Sequence, residues 1–287
     1  MSNSAKGLAL TSLGVFIMSF ESLFIKLSSI SSFLFSFYIG IFMFISMVTT
    51  YILKKEKSKT LSKNSLFVFL VCSFFMAISN IFFITAVKTT NVANVVIIFS
   101  TSALFSSLIA YIFFKEQIRK NVFISTVFIF AGLCIIFSDG LAVGSFIGNI
   151  YALVCTFLFS ISFVLLSKNK ELDRVLLTAI SGVVLSLISY FFCEELTIDF
   201  KTILLVIIMG LFISPISRVL LGNGAIYISA SEVSLLTIIE TIMAPIWIWI
   251  FLDEVPTFNT FIGGSLIIIT LIANSIYNLT IDKKEPK

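Results

Sequence analysis

Long stretches without a single charged side chain run through this sequence, separated by short polar or charged breaks. Uncharged runs cover 27–53, 64–87, 89–114, 121–138, 140–167, 175–193 and 255–281. Each is near or above the ~18 to 20 apolar residues needed to cross the hydrocarbon of a bilayer. Lipid cannot satisfy open backbone groups, so these runs predict helices. The run 140–167 opens with Gly140, Gly144 and Gly148, which places a loop first and the helix at about 146–167. Regions 7–27 and 202–252 are apolar apart from isolated charges, and the second is long enough for two crossings. The expected fold is an all-α integral membrane protein with ten transmembrane helices.

Composition agrees. The chain of 287 residues is 59% hydrophobic and 12% charged, with a mean hydropathy of +1.13, far below the roughly one quarter charged residues of soluble domains. The longest stretch outside the spans, Lys54 to Asn64, leaves no room for a nucleotide-binding domain, so ATP hydrolysis within this chain is not expected. A single Lys precedes the first apolar run, which is longer than a signal-peptide core and lacks a small-residue cleavage pattern. It is expected to remain as the first helix. Cys72, Cys134, Cys155 and Cys193 are expected inside spans, and without CxxC spacing they are assigned to apolar packing rather than redox or metal chemistry.

With ten spans, one set of loops holds Lys6, Lys54, Lys55, Lys57, Lys59, Lys63, Lys115, Arg119, Lys120, Lys168, Lys170, Arg174, Lys283, Lys284 and Lys287, fifteen of the nineteen basic residues. The other set holds Lys26, Lys88 and Lys201 together with Asp139, Glu194, Glu195, Asp199, Asp253 and Glu254. The positive-inside rule puts both termini in the cytoplasm, in a multi-pass protein of a plasma or inner membrane. Tyr51, Tyr111, Tyr227 and Tyr277 fall at inner ends and Trp249 at an outer end, as interfacial belts do. The inner loops account for the net charge of +4, so nucleic acid need not be invoked. The Lys54–Lys63 run is expected only to touch anionic lipid.

Two segments look like copies of one unit. Tyr111-Ile-Phe-Phe-Lys-Glu116 ends the fourth span and Trp249-Ile-Phe-Leu-Asp-Glu254 ends the ninth. Aligning Ala86 with Ala225 takes a one-residue gap. Five spans separate the copies, an odd number, so one would lie upside down relative to the other, as in carriers that rock one half against the other. Ala86-Val-Lys-Thr-Thr-Asn-Val-Ala-Asn94 leading to Glu116, its partner Ala225 to Glu254, Gly148 opening the second half, and a first span ending in Ile25-Lys26 resemble the EamA-type drug/metabolite transporter superfamily over about residues 7–280. The resemblance implies two inverted five-helix repeats, here 1–139 and 140–287, around a central cavity. It also implies export or uptake of small metabolites such as amino acids. Two departures stand out: Met18-Ser19 replaces a common Trp-Gly pair, and Glu240-Thr241 replaces a common Glu-Pro pair, with Pro245 four residues on.

Charges at mid-bilayer cost about 2.5 to 3.5 kcal/mol each on insertion scales. Glu21, Arg218 and Glu240 are deep, so they are expected to face a shared polar cavity. Arg218 has Ser214, Gly222 and Ala225 on its helix face, and small neighbours let a long side chain reach inward. Pro215 and Gly222-Asn223-Gly224 make this span the one expected to kink or unwind, where carriers tend to bind solute. Arg218 either holds a substrate carboxylate or pairs with Glu240 or Glu21. Glu240 sits beside Ser234, Thr237, Thr241 and Ala244; its repeat counterpart Ser102 sits beside Asn94, Thr101 and Ser106. These hydroxyls either line a cavity or serve as glue between helices. Asn80, beside Ser79, falls opposite Arg218 by the repeat and is a cavity candidate or a local hydrogen-bonder. Trp247 lies two turns beyond Glu240 and either stacks on a ligand or packs.

Glu21 and Lys26 lie about 140 degrees apart round the helix, too far to pair, and Lys26 and Lys88 are expected to snorkel to outer headgroups. With no histidine in the chain, a buried carboxylate, Glu21 or Glu240, is the natural proton carrier. An enzyme is disfavoured: there is no H-E-x-x-H, no DxxD, and Asp139-Gly140 is placed in a loop. No channel filter is visible. The expected partners are a small-molecule substrate, anionic or zwitterionic, the bilayer and protons, with no cofactor and no metal. A membrane receptor without transport is the alternative. The sequence specifies no oligomeric state.

Overall fold

The computed structural model describes residues 3–53, 63–115, 120–143, 146–169, 171–224, 227–228, 233 and 236–284. Its helices are α1 (Asn3–Met18), α2 (Glu21–Leu27), α3 (Ser32–Leu53), α4 (Lys63–Thr89), α5 (Val92–Ser100), α6 (Ser102–Phe114), α7 (Lys120–Val143), α8 (Phe146–Lys168), α9 (Arg174–Phe191), α10 (Phe200–Ile208), α11 (Ser214–Gly224), α12 (Ile238–Leu252) and α13 (Phe258–Lys284); a π turn, Met209–Ile213, joins α10 to α11. Among the described residues nine helical stretches are long and apolar enough to cross a membrane, and Ile238–Leu252 is a shorter apolar helix. Large side chains such as Phe67, Phe123, Phe130, Phe251 and Ile269 are exposed on the outside, while Phe35, Met43, Met47, Ile98, Ile136 and Ile248 fill the interior. A helix bundle in lipid requires that arrangement.

The helices pair across the two halves in a pattern that repeats itself. α3 packs on α9, α5 on α12, α7 on α13, α1 on α11 and α4 on α8. Exchanging the first half for the second returns the first three pairs unchanged and turns α1·α11 into α8·α4. Backbone detail follows the same relation. The two non-glycine residues with positive φ among those described are Lys115 (φ 53) and Asp253 (φ 54), which end α6 and α12 and are aligned in the repeated motif. Gly7 packs on Ile228, and Gly148 packs on Thr89; with Ala86 set on Ala225, Thr89 falls on Ile228. The start of α5 meets the end of α12, since the Val92 amide donates to Glu254 Oε1 (2.9 Å) and Asn91 Nδ2 to the Val255 carbonyl (3.3 Å). Those two helices therefore run in opposite directions. Ala225, Ser234 and Glu116 lie outside the described residues.

Glycine sets the closeness of these pairs. A Cβ built on Gly40 would stand 2.5 Å from the Gly182 carbonyl oxygen, and one on Gly132 would stand 2.9 Å from the Gly263 carbonyl oxygen. Small residues let membrane helices approach backbone to backbone. Gly40→Leu is expected to lower stability by about 1 to 3 kcal/mol through overpacking, read as a lower unfolding midpoint in detergent; an unchanged midpoint would contradict the α3–α9 contact.

Several expectations need correction. The first span is divided at Ser19–Phe20 and the fourth at Thr101. In the eighth, the irregularity is the π turn just ahead of Pro215 rather than an unwound Gly222–Gly224, which belongs to α11. Proline has no amide to give the carbonyl four residues back, Leu211, and its ring crowds that carbonyl, so the turn widens. Ser46 Oγ donates to Leu211 O (3.1 Å) instead. Asp139 and Gly140 continue α7 rather than forming a loop. Cys193 lies beyond the end of α9 instead of within a span.

Candidate functional site

Glu21 opens α2 immediately after the break in the first span, and Arg218 sits one turn into α11 after the π turn. Their side chains meet, with Arg218 Nη1 donating to Glu21 Oε1 at 2.9 Å and to the Ser214 carbonyl at 3.4 Å. Of the two partners the sequence offers Arg218, the structure selects Glu21. The pair joins the two halves of the chain. It is not sealed: the side chains keep 26% and 11% of their accessibility. Glu240, in the first turn of α12, is 8% exposed and lies close enough to feel the charges of both Glu21 and Arg218. No hydrogen bond or ion pair to its carboxylate occurs among the described residues. Pro245 has no amide to donate to the Thr241 carbonyl.

Trp247, two turns along α12, closes the arrangement on one side. Its Nε1 donates to Ser19 Oγ (2.9 Å), which in turn donates to the Phe16 carbonyl (2.6 Å). The indole stacks on Phe20 with ring centres 4.6 Å apart and takes the edge of Phe16 at 5.8 Å. Here packing is what Trp247 does, and its packing pins the break at Ser19–Phe20. That break was not visible in the sequence because Ser19 and Phe20 carry no helix-breaking signal.

A second junction lies at the end bearing Asp253. Lys26 Nζ is 2.9 Å from Glu254 Oε2 and donates to the carbonyls of Val87 (3.2 Å), in the last turn of α4, and Thr90 (3.0 Å), just past it. Lys88 Nζ donates to Ser28 O and Oγ and to Ile30 O, at the end of α2, and lies over the Phe35 ring. Neither lysine snorkels outward as expected. Each satisfies orphan carbonyls at the end of the neighbouring helix, which is a better use of an ammonium than a headgroup contact when those carbonyls would otherwise lack donors. Lys26–Glu254 ties the first half to the second. A charge-assisted contact of this kind is worth about 1.5 to 3 kcal/mol, so Lys26→Met is expected to raise the rate at which a water-soluble thiol reagent modifies a single cysteine at Val92 by about tenfold or more. An unchanged rate would show that the junction does not hold this end closed.

The remaining sequence candidates divide. Thr241 is buried beside Glu240, and Thr237 precedes α12 at its N-cap. Asn80 Nδ2 donates to the Met76 carbonyl of its own helix (3.0 Å), so it acts as a local hydrogen-bonder. Thr101 Oγ1 donates to Ile98 O (2.6 Å), a local bond at the α5–α6 break, and the Ser102 carbonyl accepts from Ser160 Oγ (3.0 Å), a contact between α6 and α8. Asn94 belongs to a separate buried cluster, its Nδ2 donating to Asn149 Oδ1 (3.1 Å), which also accepts from Thr90 Oγ1 (3.0 Å), while Thr260 Oγ1 donates to Asn94 Oδ1. Asn149 was not singled out from the sequence, because one asparagine after Gly148 carries no distinguishing pattern.

The profile of the EamA-like transporter family matches residues 5–138 and 146–276. A protein of Clostridium kluyveri named an uncharacterized transporter is 27% identical over 220 residues, 69% of this chain and 67% of its own length. A protein of known crystal structure superposes with a TM-score of 0.64 at 13% identity, covering 96% of this chain and 98% of that one; at that identity the likeness is one of fold.

Proposed function

The chain belongs to the EamA-like transporter family and is a multi-pass membrane transporter; from that premise we propose that it is a secondary active permease working by alternating access. Its halves, 1–139 and 140–287, act as inverted five-helix repeats making ten spans in all. The exchange symmetry of the helix pairs, the matched Lys115 and Asp253 conformations and the opposed α5 and α12 support this reading. The basic loops favour cytoplasmic termini in a plasma or inner membrane.

The single observation that carries the proposal is the meeting of Glu21 from the first half with Arg218 from the second, beside the unpartnered Glu240. An ionised group without a partner in the bilayer opposes insertion, so such a carboxylate is retained where it does a task that a neutral side chain cannot. The cargo is a small charged metabolite, amino acids and their relatives being the first class to test. Thr237, Thr241 and Trp247 complete the wall of the site. Glu240, with Glu21 held by Arg218, carries the proton that couples movement to the proton gradient, and the direction is export. Rocking of the halves would open Lys26–Glu254 when the site faces outward. No cofactor or catalytic step is invoked.

Counterflow in proteoliposomes tests this. Vesicles loaded with unlabelled amino acids and related metabolites should show saturable, transient accumulation of the labelled form of one of them. A receptor without transport gives no counterflow for any member of the panel, and that result would overturn the proposal.

A further inference from the structure

The charges around Glu240 settle into pairs and leave one over. α12 packs against α5, α1 and α2. α5 carries no charged residue, and α1 carries only Lys6, which lies over the Tyr227 ring, 5.2 Å from its centre, near the far end of the same helix. α2 carries Glu21, engaged by Arg218, and Lys26, engaged by Glu254. Asp253, at the end of α12, is exposed. On the helices packed against α12, then, each cation is already engaged, and Arg218 is shared with Glu21, whereas Glu240 is more than nine-tenths buried with no hydrogen-bond partner among the described residues.

We propose that the cargo is an organic ammonium compound, a net cation whose protonated amine seats on the Glu240 carboxylate next to the Glu21–Arg218 pair. This rests on the transport reading and deepens it. The amine brings three N–H donors and one positive charge to a place that offers acceptors and one unbalanced negative charge. An anion would meet two carboxylates, Glu21 and Glu240, against one guanidinium whose charge is already shared with Glu21. A zwitterion would gain at its ammonium and lose at its carboxylate unless it displaced Glu21 from Arg218, leaving a second carboxylate unpaired.

The full chain in detergent, with Trp249→Phe so that Trp247 is its single tryptophan, provides the readout, because Trp247 is hydrogen-bonded to Ser19, two residues from Glu21. Three probes of one ring and different charge are titrated: phenylethylamine, phenylalanine and phenylacetate. Phenylethylamine is expected to change the emission saturably and to bind at least about tenfold more tightly than phenylacetate, the equivalent of about 1.4 kcal/mol. Glu240→Gln should abolish that preference, and Glu240→Asp, which keeps the charge, should retain it, so a folding defect is separable from loss of the site. Tighter binding of phenylacetate or phenylalanine, a preference that survives Glu240→Gln, or no response to any of the three overturns the inference. Counterflow of an anionic metabolite without any of a cation would overturn it while leaving the transport reading intact. Absence of counterflow for every solute would remove both.

Discussion

Arg218→Ala is expected to reduce folded protein in the membrane more than any other single change considered. It leaves Glu21 buried without its partner, and removing one member of a buried ion pair costs about 3 to 5 kcal/mol. The unfolding midpoint in detergent should fall sharply and expression with it. Glu21→Gln combined with Arg218→Gln removes both charges together and should recover most of the lost stability, because the penalty comes from the unpaired ion and not from the missing contact. Transport should not return with it. If the double variant is as unstable as Arg218→Ala, the Glu21–Arg218 contact is not the source of the loss.

Glu240→Gln should behave in the opposite way. Its carboxylate has no partner among the described residues to strand, so the amide leaves the unfolding midpoint unchanged or higher. Accumulation driven by a proton gradient in proteoliposomes, however, should fall to background, since an amide does not take up and release a proton in this pH range. A drop in stability resembling that of Arg218→Ala, or intact gradient-driven flux, would contradict the role given to Glu240. The contrast between the two variants separates a structural charge from a working one.

The bilayer explains how much of this was legible beforehand. Span positions follow from uncharged length alone, because lipid admits few alternatives, and α8 begins at Phe146 as the glycines before it indicate. The low exposure of Glu21 and Glu240 accords with their place in apolar stretches. What the sequence could not supply was which charge meets which: Glu21 and Arg218 are brought together by α1 packing along α11, a contact made through Gly14 against Ser217 and Leu221. The breaks at Ser19–Phe20 and Thr101 were equally hidden, since each is held by hydroxyl bonds to local carbonyls, available to serines and threonines that interrupt no helix elsewhere. The hydroxyl of Thr101 looked like cavity lining as readily as packing, because one donor serves either purpose. Lys26 and Lys88 were misread because snorkelling depends only on position in the span, whereas capping depends on which helix ends beside them.

The most direct test is the two-sided exposure of Thr241. In a chain with Cys72, Cys134, Cys155 and Cys193 replaced by alanine, Thr241→Cys places one thiol beside Glu240. A membrane-impermeant thiol reagent, applied to vesicles of each orientation, should label it from both faces, and saturating cargo should slow labelling from each. Labelling from one face alone, or from neither in transport-competent vesicles, would mean that the site around Glu240 never changes sides.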